Sequence, residues 1–355
     1  MSEKKQLKVL VTDDSDVIAL LLKAIIEAAG DMVVVGRARN GHEAVRMTHE
    51  LRPDIITMDI RMPVMDGFDA TRMIMSTVPT PIVVISAGID DQELSTSFRS
   101  IDEGALAVIE KPAGDPGSPE FVRTCRSLVE TLRAMAEVKL VRRRQPRSEP
   151  TAKILETKIE KGRSRYEVVG IVSSTGGPTA LTQIFSQLPL SFPLPILVVQ
   201  HISPGFCDGF ASWMQGHTLL AVEMAKDQQQ LRSGTIYIAP DNRHLEVRRQ
   251  AEQLIVHLSS APPVELFRPA GTRLLQSLAG CCGRSAIGAV LTGMGRDGAD
   301  GLAALQESGG HTFVQDEKSS IINGMPAAAR LASGTEHMVP LSEIAPYLVR
   351  LVSPG

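Results

Sequence analysis

The sequence predicts two α/β domains in series: a doubly wound parallel-sheet domain, then a second α/β domain whose sheet is mostly parallel. Three observations point there. At 355 residues the chain exceeds one ordinary domain and can bury two cores. Over residues 1–125 short apolar runs alternate with helically spaced ones, the pattern of βα units. Beyond a charged connector, further apolar runs end in Gly-rich turns that lead into helices.

In the first domain the predicted strands are Leu7–Thr12, Met32–Ala38, Ile55–Met58, Ile82–Ile85 and Ala107–Ile109. Helical patterns follow near Ser15–Ala29, near Gly41–Leu51, after Gly67, near Gln92–Glu103, and through Phe121, Cys125, Leu128 and Leu132. Ligands of such sheets collect at the C-terminal strand edges. Those edges carry Asp13, Asp14, Asp59, Ser86 and Lys111. Three carboxylates beside a hydroxyl and a lysine suit Mg²⁺ and a phosphoryl group. The dication takes hard oxygens, a carboxylate can accept phosphoryl, and the lysine offsets phosphate charge. Singly, each aspartate is as readily a helix cap. Together at one edge, the five residues argue for a site.

Residues 126–165 are read as a helix end and a basic linker, with 12 Lys and Arg against 5 Asp and Glu. The bodies on either side are acidic, with net charges of -7 over 1–125 and -3 over 166–355. No aromatics interleave with the basic residues, so a solvated linker is favoured over nucleic-acid or membrane contact. Val168–Cys207 contains no Asp, Glu, Lys or Arg, yet its Ser, Thr, Gly and Pro residues cut it into pieces too short to span a bilayer. The four cysteines, Cys125, Cys207, Cys281 and Cys282, show no metal-ligand spacing. With no signal-peptide pattern either, the expectation is a cytoplasmic protein with reduced thiols and no membrane insertion.

The second domain, residues 166–355, opens on a strand over Val168–Val172 that runs through Ser173-Ser174-Thr175-Gly176-Gly177-Pro178 into a helix. Free N–H groups and the helix dipole favour negative charge at such a turn. Ser174 is the candidate nucleophile. Alone, the turn is more readily a cap or an anion cradle, and it lacks both Walker and GxSxG spacing. A second buried strand, Pro195–Gln200, is followed at once by His201. Three runs beginning at Gly234, Asp241 and Leu254 suggest shorter, antiparallel strands, and Leu266–Leu278 looks helical. The strand Ser285–Thr292 ends in a Gly-rich turn holding Asp297, and helices are expected through Leu302–Leu305 and Met325–Leu331. Ser174, His201 and Asp297 therefore each follow a buried strand. If those strands are parallel neighbours, the three meet at one sheet edge as nucleophile, base and orienting carboxylate. His244 also flanks a clear motif and competes as the base. A non-catalytic ligand-binding module is the other class to weigh.

Asp13-Asp14-Ser15, Met58–Gly67, Ile85-Ser86-Ala87 and Glu110-Lys111-Pro112 resemble the response-regulator receiver domain. That resemblance implies phosphorylation of Asp59 by a chemosensory histidine kinase. It also implies Mg²⁺ on Asp13, Asp14 and Asp59, with Ser86 and Lys111 as the switch pair. Val108 stands where many receivers carry a switching aromatic, so an aromatic toggle is not implied. Residues 173–178, 200–206, 239–245, 291–298 and 324–326 are similar to the chemotaxis protein-glutamate methylesterase family, which joins a receiver to a methylesterase domain. The resemblance implies a Ser174–His201–Asp297 triad, with the Met294 backbone donating to the oxyanion and Thr175 in support. It implies hydrolysis of glutamyl methyl esters on chemoreceptors, deamidation of receptor glutamines, and relief of inhibition when Asp59 is phosphorylated. No cofactor is implied for the hydrolase itself.

Overall fold

The computed structural model describes residues 6–87, 91–138, 140 and 164–353, with backbone alone over 91–96. The chain divides into two compact units, Met1–Arg147 and Ser148–Gly355. Most of the predicted linker, from 141 to 163, lies outside the described residues.

In the first unit the strands are β1 (Leu7–Thr12), β2 (Met32–Ala38), β3 (Ile55–Met58), β4 (Ile82–Ser86) and β5 (Ala107–Glu110). The helices are α1 (Asp16–Ala28), α2 (Gly41–Leu51), α3 (Gly67–Thr77), α4 (Asp91–Asp102) and α5 (Pro119–Ala136). The sheet order is β2-β1-β3-β4-β5, every pair parallel. Helix starts are chemically marked: Ser15, Asn40, Asp66 and Ser118 each accept a backbone N–H two or three residues inside their helices. Val and Ile on both faces of β3 and β4 are fully buried, as strands covered by helices on both sides require. Residues 126–136 continue α5 and belong to the first unit.

The second unit comprises β6 (Val168–Ser173), α6 (Gly177–Phe185), β7 (Ile196–Gln200), α7 (Cys207–Gln215), β8 (Ala221–Met224), β9 (Thr235–Ile238), β10 (His244–Gln250) and β11 (Gln253–Ser259). It continues with α8 (Gly271–Cys281), β12 (Ala286–Val290), α9 (Ala299–Glu307), β13 (His311–Gln315), α10 (Gly324–Ser333), β14 (Met338–Val339) and α11 (Leu341–Val352). Seven strands form one parallel sheet, ordered β14-β13-β12-β6-β7-β9-β8. The antiparallel expectation holds for the β10–β11 hairpin but fails for β9, which pairs parallel with β7 and β8. Its TIYI run is buried throughout, as a covered parallel strand should be.

The predicted helix over Leu266–Leu278 is also corrected: α8 begins only at Gly271. Pro269 disfavours helical geometry at Arg268 and supplies no N–H, so 266–270 remains a loop. Leu274, Leu275 and Leu278 of α8 pack with Val168 and Val172 of β6 and Leu302 and Leu305 of α9 in one core. Close approach needs glycine here. A Cβ on Gly170 would lie 2.6 Å from Leu278 Cδ1, and one on Gly271 2.1 Å from Val172 Cγ1. Among the described residues, no helix is long and apolar enough to cross a membrane.

Candidate active site and phosphoacceptor site

Strand β6 lies between β12 and β7, and the chain leaves it toward β7 before returning to β12. That is a topological switch point, where open parallel sheets form a crevice at their C-terminal edge. Three sequence-predicted residues come off these neighbouring strands: Ser174 after β6, His201 after β7 and Asp297 in the turn after β12.

The two serines diverge sharply. Ser173 is fully buried and its hydroxyl donates to Gln200 Oε1 at 2.6 Å. The Gln200 amide donates in turn to the carbonyls of Ser174 (2.9 Å) and His201 (2.8 Å), tying the ends of β6 and β7 together. Ser174 is half-buried, and its N–H donates to Thr292 O at 3.1 Å. Gly176 then turns the chain at φ +79, and the Gly177 N–H closes the turn on Ser174 O at 2.8 Å. A Cβ on Gly293 would come within 2.8 Å of Ser174 Cβ and 2.3 Å of Met325 Sδ, so glycine there makes room for the serine.

His201 Nε2 lies 2.8 Å from Asp297 Oδ2. The Asp297 carboxylate sits on the first turn of α8, where Oδ2 accepts the Gly271 N–H (2.6 Å) and Oδ1 the Thr272 N–H (3.0 Å). Oδ1 also accepts the Gly298 N–H at 2.9 Å. Burial pushes its pKa up, but the His201 bond and charge, with the two α8 amides, outweigh that and hold it down at about 2. A carboxylate only accepts, so His201 carries its proton on Nε2 and leaves Nδ1 as the basic nitrogen. Nδ1 is buried and has no hydrogen-bond partner among the described residues. Phe267 lies flat on the imidazole, with centroids 3.9 Å apart and planes 2° from parallel.

Thr175 is half-buried and its carbonyl accepts the Thr292 hydroxyl at 3.0 Å. Met294 is half-buried, and among the described residues its N–H has no acceptor. His244 is excluded as a base by its surroundings. It is fully buried, with Nδ1 accepting the Ala270 N–H (3.2 Å) and Nε2 donating to Pro262 O (3.1 Å). It bolts down the loop that carries Phe267. Residue-type patterns missed Gln200, Phe267, Thr272 and Thr292. Gln200 adjoins His201 within a recognisable motif, but nothing local to Phe267 reveals a partner 66 positions away.

In the first unit, Asp13 and Asp59 are buried and Asp14 is exposed, with ligand oxygens all within 4.8 Å of one another. Lys111 Nζ bridges Asp13 Oδ2 (2.9 Å) and Asp59 Oδ2 (3.0 Å). Burial raises the Asp59 pKa, and Lys111 only partly offsets it. Burial also pushes Lys111 down, but the two carboxylates prevail and its pKa is raised. The Lys111 N–H donates to Ser86 O at 2.8 Å, while the Ser86 hydroxyl accepts from Ser97 Oγ at 2.9 Å. Half-buried Val108 packs against the core beside them. Three hard carboxylates of this spacing are typical of a Mg²⁺ site.

These two sites define a class: an α/β unit with a carboxylate–lysine cluster at its sheet edge, joined to a parallel-sheet unit with a histidine–aspartate pair at its switch point. The response-regulator receiver family matches residues 9–117 and the CheB methylesterase family residues 169–348. The protein-glutamate methylesterase/protein-glutamine glutaminase 4 of Myxococcus xanthus is 44% identical over 343 residues, covering 96% of each chain. The corresponding protein 2 of Methanospirillum hungatei is 40% identical, covering 96% of this chain and 97% of its own. Among solved structures, the Thermotoga maritima CheB methylesterase catalytic domain is 33% identical with a TM-score of 0.52, covering 53% of this chain and 99% of that one. The chain belongs to the CheB methylesterase family, with a receiver domain ahead of the methylesterase domain.

Proposed function

We propose that this CheB-family enzyme acts as a protein-glutamate methylesterase and protein-glutamine glutaminase on chemoreceptors, with Ser174 as its nucleophile. The observation that carries the reading is the His201–Asp297 pair, 2.8 Å apart, at the same sheet edge as Ser174. Ser174 Oγ attacks the side-chain carbonyl as His201 Nδ1 takes its proton. The Met294 N–H, with Thr175 in support, holds the developing oxyanion. His201 then hands the proton to the leaving methoxy oxygen or amide nitrogen, which departs as methanol or ammonia, and water, activated by the same nitrogen, releases glutamate. Asp297 fixes the tautomer and stabilises the imidazolium without itself taking the proton. Phe267 limits ring rotation and keeps water from one face of the base.

In the receiver, Asp59 accepts phosphoryl from a chemosensory histidine kinase; Asp13, Asp14 and Asp59 would hold a Mg²⁺, which when bound would offset phosphate charge. Lys111 is already within reach of both buried carboxylates and pairs with phosphoryl oxygen, and Ser86 bonds a second oxygen. Phosphorylation relieves inhibition of the hydrolase. The cleanest test is methanol release from methylated receptor together with fluorophosphonate labelling. Both are expected in the wild type and lost in Ser174→Ala. Labelling that survives in Ser174→Ala overturns the assignment.

A further inference from the structure

We propose that Cys281 and Cys282 form a peroxide-reactive vicinal dithiol that closes to a reversible disulfide, with Cys281 as the attacking sulfur and Cys282 as the resolving one. The two Sγ atoms lie 3.2 Å apart, and both residues are half-buried at the C-terminal end of α8. This is the opposite end of α8 from the amides that hold Asp297, and the site depends on no part of the catalytic reading.

The carbonyls of both cysteines are held from outside the helix. Arg249 Nε donates to Cys281 O at 3.2 Å, while the Ser285 N–H and hydroxyl donate to Cys282 O at 3.0 and 2.9 Å. Arg249 Nη2 lies 4.0 Å from Cys282 Sγ and is itself anchored to Glu167 Oε2 at 2.6 Å. The negative end of α8 works against a thiolate here. The S–H bond between the two sulfurs, in which either can be the donor, and the Arg249 guanidinium beside Cys282 Sγ work for one. The Cys281 thiol is held below its ordinary range, chiefly by that S–H bond, and Cys282 is pushed up by the same bond. The other cysteines differ: burial raises Cys125, and burial with Asp241 raises Cys207. One sulfur is thus poised to attack and its neighbour to resolve.

The chemistry balances with a hydroperoxide as the two-electron oxidant. Cys281 thiolate attacks one peroxide oxygen, forming S–O and breaking O–O. With hydrogen peroxide, the departing hydroxide takes a proton and leaves as water. The Cys282 sulfur then attacks the Cys281 sulfenic sulfur, forming S–S and expelling the hydroxyl as a second water that carries away the remaining thiol proton. Adjacent Cα atoms are only about 3.8 Å apart, below the roughly 4.4–6.8 Å of ordinary disulfides. The ring is therefore strained, and thiols should reduce it readily.

The test is graded hydrogen peroxide on the full-length chain, an acid quench, and denaturing alkylation read by mass spectrometry. The peptide bearing both cysteines should lose its two alkylation sites and two hydrogens together, before Cys125 or Cys207 reacts, and dithiothreitol should restore both sites. Cys282→Ser should leave a dimedone-reactive sulfenic acid on Cys281, and Arg249→Met should slow closure several-fold. Equal oxidation of Cys125, irreversible overoxidation in place of closure, or a Cys281→Ser variant whose Cys282 oxidises as fast would overturn the proposal.

Discussion

Ser173 and Ser174 carry the same hydroxyl and differ only in what the fold asks of it. Ser173 spends its proton on Gln200, and Ser173→Ala leaves Gln200 Oε1 without a donor in a buried place. A loss of about 1–3 kcal/mol is expected, with fluorophosphonate labelling retained. A denaturant midpoint and a labelling assay on the same variant separate stability from chemistry. Asp297 makes a second prediction at this scale. Its folded pKa, about 2 against an ordinary 3.8, is depressed, so its contribution is present above about pH 4 and fades as the pH falls through the folded value. The contribution is about 2 kcal/mol. Urea midpoints measured from pH 5 down to about pH 2 should fall more steeply for the wild type than for Asp297→Asn. In activity the same variant should lose about 10⁴-fold in kcat, because an amide no longer dictates the His201 tautomer. Phe267→Ala should lower kcat more than KM, and Phe267→Tyr, which keeps the stacked ring, should recover most of the loss. Equal kinetics in Phe267→Ala and wild type would show the stack to be mere packing.

At the scale of elements, α8 shows what a sequence makes legible and what it hides. Leu266, Leu274, Leu275 and Leu278 support a helix starting near 266, but Pro269 and the glycine at 271 set the start five residues later. That shift has chemical consequences. It frees Phe267 to lie on His201 and aims the first amides of α8 at Asp297. Neither pairing leaves a local trace, because each is made across the fold by residues whose own neighbours are ordinary. The strands were easier to read, since buried Val and Ile runs announce themselves. Short β8 and β14, half-exposed or only two residues long, do not. Gly271→Ala tests the element directly: its Cβ would meet Val172 Cγ1 at 2.1 Å, in a position with no flexible end to yield. A destabilisation of about 1–3 kcal/mol is expected. Activity should fall further than that loss explains, since α8 must retreat from the carboxylate it holds.

Across the whole molecule, Ser174, His201 and Asp297 were legible because parallel strands place their C-terminal ends at one edge whatever their spacing in sequence. The same rule made the Asp13, Asp59 and Lys111 cluster legible in the first unit, where the structure adds that the lysine bridges two buried carboxylates. A carboxyl raised by burial and a lysine raised by its partners form a pair that a dication and a phosphoryl group would rearrange. Acetyl phosphate with Mg²⁺ is therefore expected to speed methanol release by the wild type. It should do nothing for Asp59→Asn, and nothing when EDTA removes the metal. Lys111→Arg keeps the charge but not the compact ammonium, so it should accept phosphoryl while responding less. A chain beginning at Ser148 separates relief of inhibition from direct activation. Under relief it outpaces the unphosphorylated full-length enzyme and ignores acetyl phosphate. If it is no faster, the receiver activates the hydrolase rather than restraining it.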